Sequence, residues 1–250
     1  MRNYVTIDGV SSLTISGLYI KDLPPITKPP MRYYKEEIDG RDGDIITRLG
    51  YGAYDKELTI GLAGDYDIDE IINFFNPIPS TLAPNIIEPY TTFVFSNESD
   101  KVYWGQILEQ IDFNHLIKFK TATVKIHVQP FKYKDGYDAT SSTRTFYITN
   151  FGNIYAKPII IIQGTGTVSV ELDNTQYFQV ELGDTTTTMC LFTNEMNAAT
   201  YKDGVYTLAN RQVTGDYSAF KVPVGNSVIT LTGGDLTLMG SRLTLYNRWV

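Results

Sequence analysis

The sequence has little of what metal and redox chemistry require. It contains one cysteine, Cys190, and two histidines, His115 and His127, among 250 residues. A single cysteine excludes an internal disulfide framework and a cysteine-cluster zinc or iron–sulfur site. The histidines lie twelve positions apart, which matches neither the i, i+4 pairing on a helix nor a zinc-finger motif. We therefore expect no metal or cofactor, and we expect Cys190 to be a small buried residue between Met189 and Leu191.

Basic residues and long apolar runs are also scarce. Lysine and arginine number 21 against 28 aspartates and glutamates, which gives a net charge of −7. This excess of acid disfavours sequence-independent binding to nucleic acid or to anionic lipid. No apolar run approaches the roughly 18 residues of a membrane span, and residues 1–10 lack the apolar core of a secretory signal. We expect a soluble protein that does not bind membranes and is not exported by the general route.

Motifs for catalysis are absent or incomplete. Asp65, Asp67 and Asp69 begin like a calcium loop, but Glu70 replaces the required glycine and Asn76 replaces the final glutamate. Helix capping explains these acids better. The 28 acidic residues offer many pairs for glycoside hydrolysis, yet nothing singles out two of them. We assign no catalytic residue and predict that the protein is not an enzyme.

The patterning of apolar residues is typical of β-strands. Alternation is clearest over residues 166–182, with a hairpin turn expected at 173–175. A second alternating stretch, 123–128, leaves His127 facing solvent. The four isoleucines at 159–162 indicate a strand that is covered on both faces. The sequence therefore predicts a mainly β fold.

One α-helix is predicted, at about residues 67–76. Ile68, Ile71, Ile72 and Phe75 follow the spacing of a single apolar stripe on a helix. Asp67 is the expected N-cap.

The length fits one large or two modest domains, and we predict two. Residues 134–142, KDGYDATSS, are polar, lack strand character and follow a long β pattern, so we interpret them as a linker. Residues 1–133 are predicted to form one domain, which contains the helix, and residues 143–250 are predicted to form the other.

Short motifs recur in a fixed order along almost the whole chain. In the first part they are IDGRDG (38–43), LGY (49–51), the strand at 58–62, VYWG (102–105), FKTATV (119–124) and QPFKY (129–133). In the second part they are NFGN (150–153), KP (157–158), GTG (164–166), VGN (224–226) and YNRW (246–249). Together they resemble the distal tail protein (Dit) family of long-tailed, non-contractile bacteriophages. One departure is Val224, where a proline is common, which makes that turn less rigid.

The resemblance implies a structural protein of the virion tail tip, assembled in the host cytoplasm. It implies a ring-forming N-terminal domain, 1–133, that is a β-sandwich or barrel-like domain with one α-helix, and a galectin-like C-terminal β-sandwich, 143–250. The expected assembly is a homo-hexamer that meets the major tail protein on one side and the tail-associated (Tal) protein on the other. Receptor-binding or other baseplate proteins would attach to this hub, and DNA would pass through the ring without specific binding. The alternative function is a carbohydrate- or receptor-binding tail module.

The region from about 31 to 62 combines aromatic residues, glycines and alternating charges. This composition suits a hairpin arm that reaches across a neighbouring subunit, and the alternative is an ordinary hairpin on its own domain. The candidate contact residues are Tyr33, Tyr34, Asp39, Gly40, Arg41, Asp42, Gly43, Tyr51 and Tyr54.

Overall fold

The computed structural model describes residues 2–78, 89–140, 143–237 and 240–250. The predicted mainly β class is confirmed. The described chain divides into two compact units: one holds residues 2–78 and Tyr90–Lys132 with Val250, and the other holds Pro89 and Tyr133–Trp249. Among the described residues, no helix has the length and apolar character of a membrane span.

Over its described residues, the first unit is built from antiparallel strands, two α-helices and two short 3₁₀ turns, Ser12–Thr14 and Ser96–Glu98. Its strands are β1 (Val5–Ile7), β2 (Val10–Ser11), β3 (Leu18–Asp22), β4 (Met31–Glu37), β5 (Asp44–Tyr51), β6 (Tyr54–Leu62), β7 (Thr91–Phe95), β8 (Val102–Gln106) and the start of β9 (Thr121–Thr140). The main sheet runs in the order β3-β6-β9-β8-β7-β1-β2.

Strand alternation produces the core of this unit. The pairing of β6 with β9 sets Leu58 opposite Val124, and both side chains are fully buried. Val128, on the same face of β9, is also buried, whereas His127 is about two-fifths exposed. The predicted alternation over 123–128 is therefore confirmed.

The predicted helix is confirmed as α1 (Ile68–Phe74). The Asp67 carboxylate accepts hydrogen bonds from the backbone N–H groups of Asp69, at 2.9 Å, and Glu70, at 3.4 Å, so these acids form the helix start. Ile71 is buried on the inner face.

The prediction of a single helix is wrong, because α2 (Phe113–Phe119) is a second one. Asp112 caps it, and it ends where Lys120 adopts a left-handed conformation with φ 57°. Its only fully buried side chain is Leu116. A helix of two turns with one buried residue leaves no apolar period in the sequence.

The second unit is a sandwich that includes a 3₁₀ turn at Asn210–Gln212. Its strands are the end of β9 and β10 (Thr145–Asn150), β11 (Ile159–Leu172), β12 (Thr175–Glu181), β13 (Thr187–Phe192), β14 (Asn197–Lys202), β15 (Val205–Leu208), β16 (Val213–Gly215), β17 (Gly225–Leu236) and β18 (Arg242–Trp249).

Strand β11 changes its pairing partners along its length. Residues 159–164 pair with β13, and β18 pairs with the first three of them. Residues 167–172 pair instead with β12, and β17 pairs with residues 168–172 and, beyond a register shift, with Gly164 and Thr165. The change takes place around Gly164, where a Cβ atom would lie 2.3 Å from the carbonyl oxygen of Asp235. Only glycine allows this close approach of two backbones, so it fixes the corner.

Two sequence predictions are confirmed on β11. Asp173 and Asn174 form a two-residue hairpin loop with φ of 49° and 65°, as a type I′ turn requires. The isoleucine run is covered on both faces, since Ile160 and Ile162 lie in the main core while Ile161 packs in a separate buried cluster.

The expectation that residues 134–142 lack strand character is wrong for residues 134–140. Strand β9 continues without a break to Thr140, and residues 141–142 lie outside the described chain. Pairing within a sheet outweighs a composition of aspartate, glycine and lysine that disfavours strands in isolation. The boundary between domains stays a prediction.

Candidate functional site

Strands β4 and β5 form a two-stranded sheet of their own within the described chain. Their pairing runs from Met31 opposite Tyr51 to Glu37 opposite Asp44. Every residue of β4 is exposed, and only three residues of β5 are partly covered, Ile45, Gly50 and Tyr51. We call residues 31–51 the arm.

Both faces of the arm carry exposed apolar side chains. Tyr33 and its diagonal neighbour Ile46 lie on one face, and each is nearly three-fifths exposed. Tyr34 lies on the opposite face, and Leu49, at the register shift of β5, is exposed to the same extent. A hairpin that packed on its own domain would bury one of these faces. An isolated two-stranded hairpin is marginally stable, and its apolar surface indicates a contact with another molecule.

The tip of the arm is a tight polar loop. The N–H of Arg41 donates to the carbonyl oxygen of Ile38 at 3.1 Å, and Gly40 between them has φ 81°, as a type II turn requires. Lys35 at the base of the loop donates to Glu37 at 2.6 Å and lies 3.2 Å from Asp44. These two carboxylates, Glu37 first, raise the pKa of Lys35.

The base of the arm is attached to the core of the first unit. The ring of Tyr51 meets the ring of Phe131 edge to face, with 5.6 Å between centroids. The N–H of Gly52 donates to the carbonyl oxygen of Pro30 at 2.8 Å, which closes the neck of the hairpin.

The segment that leads into the arm, residues 23–30, is held by side chains instead of strand pairing. The ammonium group of Lys56 donates to the carbonyl oxygen of Pro25 at 2.9 Å, and the Asn97 amide donates to that of Pro24 at 3.0 Å. These bonds satisfy carbonyl groups that have no strand partner, and they fix the direction in which the arm leaves the core.

A buried ionic cluster lies beneath this segment. Glu98 accepts a hydrogen bond from Lys132 at 2.8 Å and another from the hydroxyl of Tyr103. The ammonium of Lys56 lies 4.8 Å from the centroid of the Tyr103 ring. Both lysines are nearly enclosed. Glu98 is thus the carboxylate that balances two buried ammonium groups.

Burial shifts the pKa values in this cluster. It lowers the pKa of Lys56 to about 8 and raises the pKa of Tyr54 to about 12. It also raises the pKa of Tyr103, and the hydrogen bond to Glu98 adds to that shift. In the second unit, burial lowers the pKa of Lys157 to about 8, with Arg248 contributing.

These shifts predict how stability depends on pH. Above pH 8, Lys56 and Lys157 lose protons in the folded state, while an unfolded lysine keeps its proton to about pH 10.4. The unfolded state binds more protons in this window, so the free energy of unfolding should rise between pH 8 and 10 by about 2 kcal/mol for each of the two lysines. Above about pH 10 it should fall, because unfolded tyrosines ionise before the buried ones.

Urea unfolding at several pH values from 7 to 10.5 measures this profile. The Lys56→Met variant should show a smaller rise, whereas a variant of an exposed lysine, Lys21→Met, should keep the wild-type slope. A flat profile in the wild type, or equal slopes in the two variants, would contradict the assignment.

The structure brings most of the predicted contact residues together on the arm. Tyr33 and Tyr34 lie on its two faces, the tip holds residues 39–43, and Tyr51 lies at the base. Tyr54 lies outside the arm, at the start of β6, with a buried hydroxyl. The exposed apolar residues of β5, Ile46 and Leu49, are absent from the prediction, because alternation in DIITRLGY is equally typical of a core strand.

The cysteine and the two histidines considered from the sequence each contact neighbouring groups of the fold. Cys190 is buried as predicted, and burial raises the pKa of its thiol to about 11. His127 lies 2.7 Å from the carboxylate of Asp55 on the outer face of β9, and His115 lies 3.0 Å from the carbonyl oxygen of Thr121. Among the described residues, no group of three or more potential metal-ligating side chains converges.

Comparison with solved structures gives the same architecture over the whole chain. The crystal structure of the Dit (gp 19.1) protein of phage SPP1 matches with a TM-score of 0.63 and 16% sequence identity, covering 100% of both chains. A chain of the phage P2 baseplate in its activated conformation with Ca matches with a TM-score of 0.51 and 10% identity, covering 99% of this chain and 98% of the other. No protein-family model and no curated protein sequence matches. The chain thus has the fold of the SPP1 distal tail protein.

Proposed function

We propose that this chain is a structural subunit of the distal tail of a siphophage. Six copies close into a ring that joins the tail tube to the tail-associated protein and carries the receptor-binding components. The observation that carries this proposal is the arm, a hairpin with apolar residues on both faces, on a fold shared end to end with the SPP1 protein. That protein is described as a paradigm of the hub adsorption apparatus in phages that infect Gram-positive bacteria.

A ring requires a contact between two different patches, repeated with a rotation that closes. The arm supplies one patch, because it projects strand edges and aromatic rings that its own unit leaves uncovered. A neighbouring copy of the chain supplies the other. Burying Tyr33 with Ile46, and Tyr34 with Leu49, against that neighbour removes the arm's apolar surface from water.

Charge supports passage of DNA without binding. The chain carries 28 acids and 21 basic residues, so a ring of these subunits is acidic overall. Acidic side chains facing a channel repel phosphate, and a passing genome does not adhere to the wall. The contacts with the major tail protein, the tail-associated protein and other baseplate proteins belong to the same proposal, as does assembly in the host cytoplasm. The role is architectural and involves no catalysis.

Mass measurement tests the proposal. The purified chain, alone and mixed with the tail proteins encoded by the same phage, is examined by native mass spectrometry and negative-stain microscopy. We expect a species of six times 28.1 kDa that appears as a closed ring. A chain that stays monomeric at about 100 µM, even with those tail proteins present, would refute the ring.

A further inference from the structure

The outer face of β10 and β17 in the second unit carries a bare aromatic ring. Tyr147 is 79% exposed, more than any other aromatic side chain among the described residues. Its neighbours along the strand, Phe146 and Ile148, point into the core and are 2% exposed. Val228 lies directly opposite Tyr147 in the pairing and is half-buried. The strand is therefore firmly anchored, and the ring stands on its outer side.

A surface cleft of about 360 Å³ lies beside this ring. Asp173, from the hairpin loop after β11, forms part of its wall. The backbone N–H of Asp173 donates to the carbonyl oxygen of Val228 at 2.9 Å, and its carboxylate accepts from the N–H of Val228 at 2.8 Å. This pair of bonds holds the carboxylate in place through one oxygen and leaves acceptor capacity on the other.

Asn226 forms another part of the wall. Its side-chain oxygen accepts a hydrogen bond from the Thr149 hydroxyl at 2.9 Å. The oxygen of the amide is thereby oriented, and its NH₂ group is available as a donor. The cleft thus combines an exposed aromatic ring, a fixed acceptor and a fixed donor.

This combination matches the chemistry of a sugar ring. A pyranose has one face of C–H groups, which pack on an aromatic ring, and a rim of hydroxyls that both donate and accept hydrogen bonds. The carboxylate of Asp173 disfavours an anionic ligand in a chain whose net charge is already −7. The volume lies near the lower end of the range of about 300–1,000 Å³ for small-molecule sites, which favours a short saccharide.

We propose that this cleft binds a neutral pyranose, stacked on Tyr147 and hydrogen-bonded to Asp173 and Asn226. The site goes beyond the structural role, since closing a ring through the arm does not need it. Because the cleft is open, the dissociation constant for a single sugar unit should be on the order of 1 mM.

Saturation-transfer NMR on the full chain tests this site. The probes are methyl α-D-glucopyranoside, methyl β-D-galactopyranoside and methyl N-acetyl-β-D-glucosaminide, each titrated to about 20 mM. We expect at least one of the three to bind saturably. Tyr147→Ala should weaken that binding at least about tenfold, whereas Tyr147→Trp should retain it, because an aromatic plane remains. Asp173→Asn keeps an oxygen for the Val228 N–H but removes the charge, and it should weaken binding about fivefold.

Tyr201→Ala is the matched control, because Tyr201 is a partly exposed tyrosine on β14 of the same unit. It should bind the sugar as the wild type does. The proposal fails if none of the three probes binds, as would happen if Tyr147 served a protein contact instead. It also fails if a probe binds equally to the wild type and to Tyr147→Ala. The mass of the assembly, measured on the same samples, tests the proposed ring and does not test the sugar site.

Discussion

Excising the arm should abolish the ring and leave the subunit folded. Met31 and Tyr51 lie directly opposite each other at its base, so residues 32–50 can be replaced by the dipeptide Asn-Gly, which forms a two-residue turn. The excised segment contributes nothing to the buried core of its own unit. The Tyr51–Phe131 contact and the Gly52–Pro30 hydrogen bond remain in the shortened chain. We expect a sixfold drop in the mass of the assembly.

Native mass spectrometry measures the loss of the ring, and thermal unfolding measures whether the subunit stays folded. The midpoint of unfolding of the shortened subunit should lie within a few degrees of that of dissociated wild-type subunits, since only exposed surface is removed. A matched variant keeps the backbone of the arm but carries Tyr33→Ser, Tyr34→Ser, Ile46→Ser and Leu49→Ser, and it should also fail to assemble. A ring that persists in the shortened chain would exclude the arm as the contact.

Shortening only the tip, Asp39 to Asp44, tests whether the tip or the strands of the arm make the contact with the neighbouring subunit. The tip is polar and the apolar residues lie along the strands, so we expect a shortened tip to weaken assembly less than excision does. A mass equal to that of the wild type would remove the tip from the interface and leave the strands in it.

Removing the charge of the largely enclosed Glu98 carboxylate should cause a large loss of stability. In Glu98→Gln, Lys132 and Lys56 lose the one carboxylate that balances their charge within the cluster, and the Tyr103 hydroxyl loses an ionic acceptor. Breaking a buried ion pair from one side costs about 3–5 kcal/mol, because the other charge stays enclosed. Unfolding in guanidinium chloride should show a loss of this size.

Two further variants give this experiment its controls. Glu109→Gln breaks an ion pair of similar length with Lys125, 2.7 Å, but Glu109 is largely exposed, so the loss should stay below about 1 kcal/mol. The double variant Glu98→Gln with Lys132→Met removes both charges of the buried pair and should recover part of the stability. Equal losses for Glu98→Gln and Glu109→Gln would show that the cluster is not an electrostatic unit.

Elements with a strong local period were predictable from the sequence. The capped helix α1, the hairpin at Asp173 and the doubly covered isoleucine run each follow from spacing within one segment. The short helix α2 was not predictable, because it has a single buried residue. The continuation of β9 through KDGYDAT was not predictable either, because it depends on pairing with another strand. These elements depend on neighbours that are distant in the sequence.

The candidate site was also predictable only in part. The aromatic and glycine content of 31–51 indicated the arm, but only the three-dimensional structure shows that both faces are bare. The ionic cluster had no sequence signal, since Lys56, Glu98 and Lys132 are far apart in the chain and meet only after the strands pair. Tyr54 was grouped with the arm by proximity in the sequence, and its place on β6 gives it a different environment.

Strand β11 gives the second unit a particular mechanical character. One continuous backbone pairs with β13 and β18 along its first half and with β12 and β17 along its second, and Gly164 lies where the partners change. The strands paired with either half of β11 share this one backbone, so we expect them to unfold together as one cooperative unit.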